Sequence, residues 1–502
     1  MSKGQDGTFS RSVQWQTLNV GVQILIQLAF VRYLGEILTE SEWGLVGVVL
    51  GFAGLLEIFA QLGVGPSLIQ RKGLSRPQVS AAFWFSLFQG MAFCAAVYFS
   101  APAIADWFDK PDMEPVLRWV AFSFLIASLA LVPRSLLIRR MDFRSLFWSS
   151  LIAMGLGTGV FGIWAASEGW GVYAYIGALL VQNGLLGINY WARTRLRVSL
   201  RPHVREAGAL LRYGVASTAF NFLNYAATKI DLLVLDKLLP PARDAVVGLY
   251  ERSVYLMNTP VTVLGKLSDS VLFSGMSGVQ DEQERLRSIF YGGTYVVTTL
   301  VLPGVLLLEL FMEDVVLTLV GSKLLGVVPF ARILVLGILF RSWIKVCDAV
   351  VRAVDAIVSA SVIKAGFCAM VGAAAWWGAT DGLASLCIGM VAATTVQSVA
   401  MLLLTRQRIR FEWGMLLKLS APGVKAAFAA GIGALPALLL FGEAHWSLHF
   451  LMGVAGMGGA VLALAWFHPA SFRVGPYDLL AQIAGRVPLA ALRNRWAPEE
   501  NR

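Results

Sequence analysis

Apolar residues run along this chain in long stretches parted by short polar connectors. Measured against the roughly 20 residues a helix needs to cross a bilayer, they predict fourteen transmembrane helices. These lie at residues 13–34, 43–62, 79–100, 116–133, 146–166, 171–191, 208–235, 248–275, 289–311, 327–351, 356–377, 383–404, 421–441 and 447–467. The seventh carries Ser217, Asn221, Asn224, Thr228 and Asp231 at steps of 4, 3, 4 and 3, which places them on one helical face. The first carries Ser12, Gln16, Asn19, Gln23 and Gln27 in the same manner. An unsatisfied polar group in hydrocarbon costs roughly several kcal/mol, so each seam must face something wet or polar.

Three further segments carry seams. On the eighth, Glu251, Tyr255, Asn258, Thr262 and Asp269 share a face, with Arg252 and Lys266 beside it. The second contributes Glu57 and Gln61, one turn apart. The tenth has the most charge: Arg341, Lys345, Asp348, Arg352 and Asp355 again follow steps of 4, 3, 4 and 3. Each charge at bilayer centre costs at least about 2.5 kcal/mol, which argues against lipid exposure of that stripe. Two readings fit it: mutual neutralisation by intrahelical pairs, or a lining of charged groups along a cavity. For the amides and hydroxyls of the first and seventh segments, interhelical hydrogen bonding stands beside the same cavity.

Composition places the chain outside the soluble range. Of 502 residues, 57% are hydrophobic and 14% charged, and the mean hydropathy is +0.67; this is the signature of a polytopic membrane protein. The first ten residues are polar and no small-residue cleavage site follows, so the first segment is expected to stay as a helix. Cys94, Cys347, Cys368 and Cys387 lie inside apolar segments and read as small core hydrophobes. The net charge of +10 is unevenly placed. Connectors on the side of the amino terminus hold 27 Lys and Arg, and those on the opposite side hold only Lys110, Lys237, Arg243 and Lys323. By the positive-inside rule both termini are expected in the cytoplasm. Basic runs such as Arg193-Thr-Arg195-Leu-Arg197 then contact lipid headgroups and set topology, with no nucleic acid as partner.

The chain also suggests an internal repeat. Trp43-Gly44-Leu45 follows the first polar segment, and Val247-Gly248-Leu249 follows the seventh at an offset of 204 residues. Duplication of a six-helix unit predicts an amino-terminal lobe over 1–207, a second lobe over 208–405, two added helices over 406–470 and a cytoplasmic tail over 471–502, with a site between the lobes. The fold class is thus all-α, with two pseudo-repeated lobes.

Several chemistries are disfavoured. His445 and His449, one turn apart beside Glu443, lack an evident third metal ligand. Gly155, Gly157, Gly159 and Gly162 follow no strand, so they predict close helix packing and not a nucleotide loop. No nucleophile elbow or phosphate-binding loop occurs, and outward connectors of about fifteen residues or fewer leave little room for a catalytic domain. The chain is expected not to be an enzyme.

Several motifs together resemble a known group. Gly44-Leu45, the run Gln61-Leu-Gly63-Val-Gly65-Pro-Ser67-Leu-Ile69-Gln70-Arg71-Lys72, and Phe83-Trp84 are similar to the first half of flippases for lipid-linked polysaccharide repeat units. These form the polysaccharide transporter branch of the multidrug/oligosaccharidyl-lipid/polysaccharide exporter superfamily, to which the multidrug MATE transporters also belong. Val132-Pro133-Arg134 through Arg144, residues 211–237, and Gly248-Leu-Tyr250 with Arg252, Leu256, Met257 and Pro260 resemble its later motifs. The family has Asp where Gln61 stands, and a Gly-Arg-Pro-Asp turn where this chain reads Arg352-Ala-Val-Asp355; Arg341, Lys345 and Asp348 lie outside its pattern.

The resemblance implies an alternating-access flippase of the bacterial inner membrane. It would move undecaprenyl-pyrophosphate-linked oligosaccharide toward the periplasm for exopolysaccharide, O-antigen or capsule assembly. On that reading Arg341, Lys345 and Arg352, with Lys229 and Arg252 nearer the exit, would receive the pyrophosphate. Gln16, Asn19, Gln23, Gln27, Asn221, Asn224, Thr228, Tyr255 and Asn258 would meet sugar. Glu57, Asp231, Glu251 and Asp348 are candidates for coupling to H+ or Na+, with no metal and no other cofactor. The partners implied are the lipid-linked oligosaccharide, membrane lipids and polymerase or export machinery. A drug or peptidoglycan-precursor exporter of the same superfamily is the nearest rival, and a membrane-embedded polymerase or ligase a more distant one.

Overall fold

Long apolar runs without water can satisfy their backbone only as helices, and a computed structural model of the protein is built accordingly. It describes the chain apart from residues 1–20, 24, 62–63, 66–67, 69–73, 141, 197, 200–221, 223–224, 227, 241–243, 268–281, 355, 441–444, 475–476 and 479–502. The helices are α1 (Gly21–Gly35), α2 (Glu40–Gln61), α3 (Arg76–Trp107), α4 (Met113–Arg139), α5 (Phe143–Ser167), α6 (Val172–Thr194), α7 (228–238) and α8 (Asp244–Leu267). They continue with α9 (Gln283–Leu310), α10 (Met312–Leu319), α11 (Val328–Val335), α12 (Ile338–Ala353), α13 (Ile357–Asp381), α14 (Leu383–Ile409), α15 (Trp413–Leu440) and α16 (Trp446–Phe467). Among the described residues ten helices are long and apolar enough to span a membrane, and one bent pair adds an eleventh. The protein is therefore a multi-pass membrane protein whose described spans are all helices. A two-residue antiparallel hairpin, Arg473–Val474 with Tyr477–Asp478, lies beyond α16.

Local chemistry sets the ends of these helices. The stretch Ser75-Arg76-Pro77-Gln78 starts α3: the Gln78 amide donates to Ser75 Oγ at 3.4 Å, and the Ser75 amide donates back to Gln78 Oε1 at 3.2 Å. Proline in the first turn gives up no bond, because its missing N–H would have had no helical partner. The helix runs 32 residues, to Trp107, past the lipid-length stretch 79–100, because hydropathy registers where hydrocarbon ends and not where the helix does. Likewise α15 begins at Trp413 and not at 421.

The predicted span 327–351 is broken in the middle. It is made of two helices, α11 and α12, bent by 53°. The Gly337 amide donates to the Leu334 carbonyl at 2.9 Å, a tight turn at a glycine where a helix bends at least cost. In α5, Met154–Gly162 winds as a π-helix, and a Cβ on Gly157 would lie 2.7 Å from the Gln182 backbone of α6. The glycines of this run thus do include a point of close helix approach, as the sequence suggested.

Two compact units divide the chain. One holds residues 1–252, 319–326 and 364–386; the other holds 253–318, 327–363 and 387–502. In the first, α4 packs against α2, α3 and α6. Its connector end is tied by two crossed ion pairs between adjacent residues of opposite sign, Lys110 with Asp236 and Lys237 with Asp109, the latter at 2.8 Å. Half-buried Glu36 also ties this end, accepting from the Ser322 amide at 3.1 Å. In the second unit α9 packs against α12 and α15, and Tyr295 Oη donates to the Phe472 carbonyl at 2.6 Å, fixing the segment beyond α16.

The Ser322 amide, helped by Arg32 and the Ser322 hydroxyl, holds the Glu36 carboxyl below the ordinary glutamate value of 4.5 against the opposing effect of partial burial. A lowered folded value means that the stabilisation is present above 4.5 and is lost as pH falls through the folded value. Thermal unfolding of the purified protein should therefore show Glu36→Gln melting below the parent at neutral pH. The gap should close as pH is lowered below the carboxylate range; an equal gap at both would contradict the assignment.

Candidate functional site

Of the polar seams, the described part of the first helix places Gln23 and Gln27 half-buried on α1. Gln16, Asn19, Asn221, Asn224, Asp269 and Asp355 lie outside the described residues. Thr228, exposed at the start of α7, donates to the Tyr225 carbonyl three residues back at 2.7 Å.

In the first unit five of the predicted residues collect along α2 and its neighbours. Asp231 is buried and accepts from Tyr250 Oη at 2.5 Å. Glu251 and Arg252 pair with each other, and the Arg252 guanidinium lies 3.8 Å from the ring centroid of Trp43. Both Arg252 and Trp43 are buried. Stacking on an aromatic face suits guanidinium because its flat surface is weakly hydrated and the ring face is negative. Lys229 lies across Gly51, with its Cδ where a Cβ on that glycine would be 3.6 Å away. Glu57 is half-buried on α2.

The second unit gathers the rest. Arg341 Nη1 donates to Asn258 Oδ1 at 2.7 Å, joining α12 to α8 through two residues of separate predicted seams. Arg341, Lys345 and Arg352 stand half-buried on one face of α12, while Asp348 among them is buried. Arg352 Nε donates to the Asp348 carbonyl at 3.2 Å. Tyr255 is half-buried on α8 one turn before Asn258. The bend at Gly337 matters here: it starts a new helix whose first turn carries Arg341.

Three residues of this architecture were not singled out from sequence. Trp43 and Tyr250 lie inside the quoted repeat and family motifs, yet their partners, Arg252 and Asp231, come from tertiary packing. Tyr225, whose hydroxyl donates to the Leu50 carbonyl at 3.3 Å, carries no sequence signal beyond its place in the seventh segment. The histidine pair serves structure: His445 Nδ1 accepts from the Ser447 amide at the start of α16, and His449 Nδ1 lies 2.7 Å from Asp314 Oδ2. Among the described residues no three His, Cys, Asp or Glu side chains converge as a metal site would require.

Comparison with known proteins follows the same lines. The chain is 25% identical over 332 residues to the lipopolysaccharide biosynthesis protein WzxC of Escherichia coli (strain K12), covering 66% of each chain. It thus spans about two thirds of that relative. It is 24% identical over 444 residues to the succinoglycan biosynthesis transport protein ExoT of Rhizobium meliloti (strain 1021), covering 86% of this chain and 85% of that one. Among solved structures, the lipid II flippase MurJ in its inward closed conformation matches with a TM-score of 0.68 at 13% identity, over 93% of this chain and 99% of that one. The outward-facing conformation of a multidrug resistance MATE family transporter of the MOP superfamily matches at 0.59 and 17% identity, over 80% and 95%. At those identities the likeness is one of fold. Residues 34–329, more than half of the 502, match the family described as polysaccharide biosynthesis protein, and the chain belongs to that family.

Proposed function

We propose that this protein is a flippase that carries undecaprenyl-pyrophosphate-linked oligosaccharide repeat units across the bacterial inner membrane by alternating access. Exopolysaccharide, O-antigen or capsule assembly would use the product, and polymerase or export machinery would follow it. The observation that carries this reading is the cationic face of α12. Three guanidinium and ammonium groups, Arg341, Lys345 and Arg352, share it inside a membrane protein, and Arg341 is oriented by a neutral amide. A pyrophosphate is the kind of group that repays such an arrangement, because charge-assisted hydrogen bonds to phosphate are stronger than neutral ones. The names of two relatives, one a lipopolysaccharide biosynthesis protein and one a succinoglycan biosynthesis transport protein, support a saccharide cargo.

The roles divide by chemistry. Arg341, Lys345 and Arg352 load the pyrophosphate from the cytoplasmic side, where the basic connectors lie. Lys229 and Arg252 receive it nearer the exit. Gln16, Asn19, Gln23, Gln27, Asn221, Asn224, Thr228, Tyr255 and Asn258 exchange hydrogen bonds with sugar hydroxyls, since amides and hydroxyls both donate and accept. The prenyl tail stays in lipid throughout. The two six-helix lobes, 1–207 and 208–405, rock about this path, with both termini in the cytoplasm. Glu57, Asp231, Glu251 and Asp348 couple the cycle to an H+ or Na+ gradient; buried carboxylates are the groups that exchange a proton or hold a cation in such transporters.

Arg341→Gln with Lys345→Gln should abolish polymer at the cell surface while leaving the protein at parental level in the membrane. A charge-assisted bond is worth about 1.5–3 kcal/mol, so each substitution alone should weaken transport by about tenfold or more. Export at the parental rate by the double variant would refute the assignment.

The coupling role is tested in vesicles. Transport of the lipid-linked saccharide should stop when one of the two gradients is dissipated and persist when the other is, and Asp231→Asn should mimic the loss. Transport indifferent to both gradients would remove the four carboxylates from the cycle.

A further inference from the structure

Four glycines of α2, Gly44, Gly47, Gly51 and Gly54, recur at steps of 3, 4 and 3 and therefore make a single groove along the helix. What fills that groove is unusual. A Cβ on Gly47 would lie 2.5 Å from Glu251 Cγ. One on Gly51 would lie 3.6 Å from Lys229 Cδ and 3.8 Å from Leu233 Cδ2. One on Gly54 would overlap the Tyr225 hydroxyl. Small-residue grooves between membrane helices ordinarily receive backbone or aliphatic side chains. Here the side chains of Glu251, Lys229 and Tyr225 enter beside the aliphatic Leu233.

The same end carries two backbone approaches. A side chain on Gly248 would overlap the Glu40 carbonyl and come within 3.1 Å of the Gly44 amide nitrogen, so the glycines of the two repeated motifs meet each other. A side chain on Gly35 would overlap the Val320 carbonyl. Beside them are the bonds of Glu36 to Ser322 and the crossed pairs Lys110–Asp236 and Lys237–Asp109. Every one of these contacts joins the connectors that are poor in Lys and Arg.

We propose that the glycine groove of α2 is the closing surface of a gate at this end of the protein, and that closure stows Glu251 and Lys229. The inference rests on the alternating-access reading and deepens it. Glu251, a coupling group, and Lys229, an exit-side cation, are covered while the gate is shut and become available only when α2 parts from residues 225–251. Glu251 enters the groove already paired with Arg252, and half-buried Lys229 lies across Gly51 at van der Waals distance. Taking charged side chains partly out of water costs free energy, which keeps the shut state from becoming a trap.

The gate is tested without cargo. Leu233→Cys, in the full chain, reports on the groove through its reaction with a membrane-impermeant maleimide added from the non-cytoplasmic side; the parent with its own four cysteines sets the background. Leu233→Cys alone should react slowly. Adding Gly47→Ala should raise the reaction severalfold, and adding Glu251→Ala to that pair should return it to the slow rate, because the removed Cγ is the atom in the way. Gly248→Ala should also raise the reaction, and Glu251→Ala should leave it raised, because the obstacle there is backbone. Protection that survives Gly47→Ala and Gly248→Ala would overturn the proposal. So would a Gly47→Ala defect, in labelling or in membrane level, that Glu251→Ala does not reverse. Because no saccharide takes part, a normal labelling pattern beside a failed export test would count against the cargo and not against the gate.

Discussion

A charged or polar side chain within a bilayer must find a partner or a cavity, and most of this protein is arranged around that requirement. With 57% of residues hydrophobic and 14% charged, the few polar groups inside the spans cannot be dispersed; each would cost several kcal/mol, roughly, against lipid. The seams are the outcome. Asp231 takes the Tyr250 hydroxyl, Arg252 takes Glu251 and the face of Trp43, and Arg341 takes Asn258. Glu251 and Arg252 are neighbours on one helix, whereas the other two hydrogen bonds join residues far apart in the chain. The stripe on α12 is tied to α8 through its first arginine.

That requirement is also why much of the architecture was legible in the sequence. Spans such as 171–191 and 447–467 differ from α6 and α16 by only a few residues at either end, because apolar length is itself the constraint. Seam positions were legible for the same reason, since a helical period fixes which polar residues share a face. The bend between α11 and α12 was not, because hydropathy runs unbroken through Leu336 and Gly337 and carries no information on direction. Nor were the partners of the seams. Trp43 beneath Arg252 and Tyr250 beside Asp231 depend on which helices meet, and a single sequence holds no record of that. The glycines of α2 were visible at their 3, 4, 3 steps, yet glycine reads as merely apolar until the side chains that enter the space are known.

The two kinds of charge in the protein also answer to different physics. Lys110, Lys237, Asp109 and Asp236 sit at connectors, where adjacent residues of opposite sign cross-pair. Exposed Lys237–Asp109 is screened by solvent and contributes little by itself, while buried Lys110–Asp236 is costly to break because either partner alone would be a buried charge. A junction made of one weak and one strong pair can be positioned firmly and still be released when larger forces act on the helices. Glu36 and Ser322 add a third tie of the weak kind.

Two glycines give this junction its form. Gly44 and Gly248 hold the same place in the two Gly-Leu motifs, and a Cβ on Gly248 would lie 3.1 Å from the Gly44 amide nitrogen. A contact between two copies of the same surface needs only one local solution, a residue without a side chain, to be satisfied on both sides, as in an isologous interface between identical subunits. Trp43 precedes one glycine and Val247 the other, and of the two only Trp43 stacks a guanidinium. Unlike neighbours around like glycines give the two sides of this contact different chemistry, because an aromatic face can hold a buried cation and an aliphatic side chain cannot.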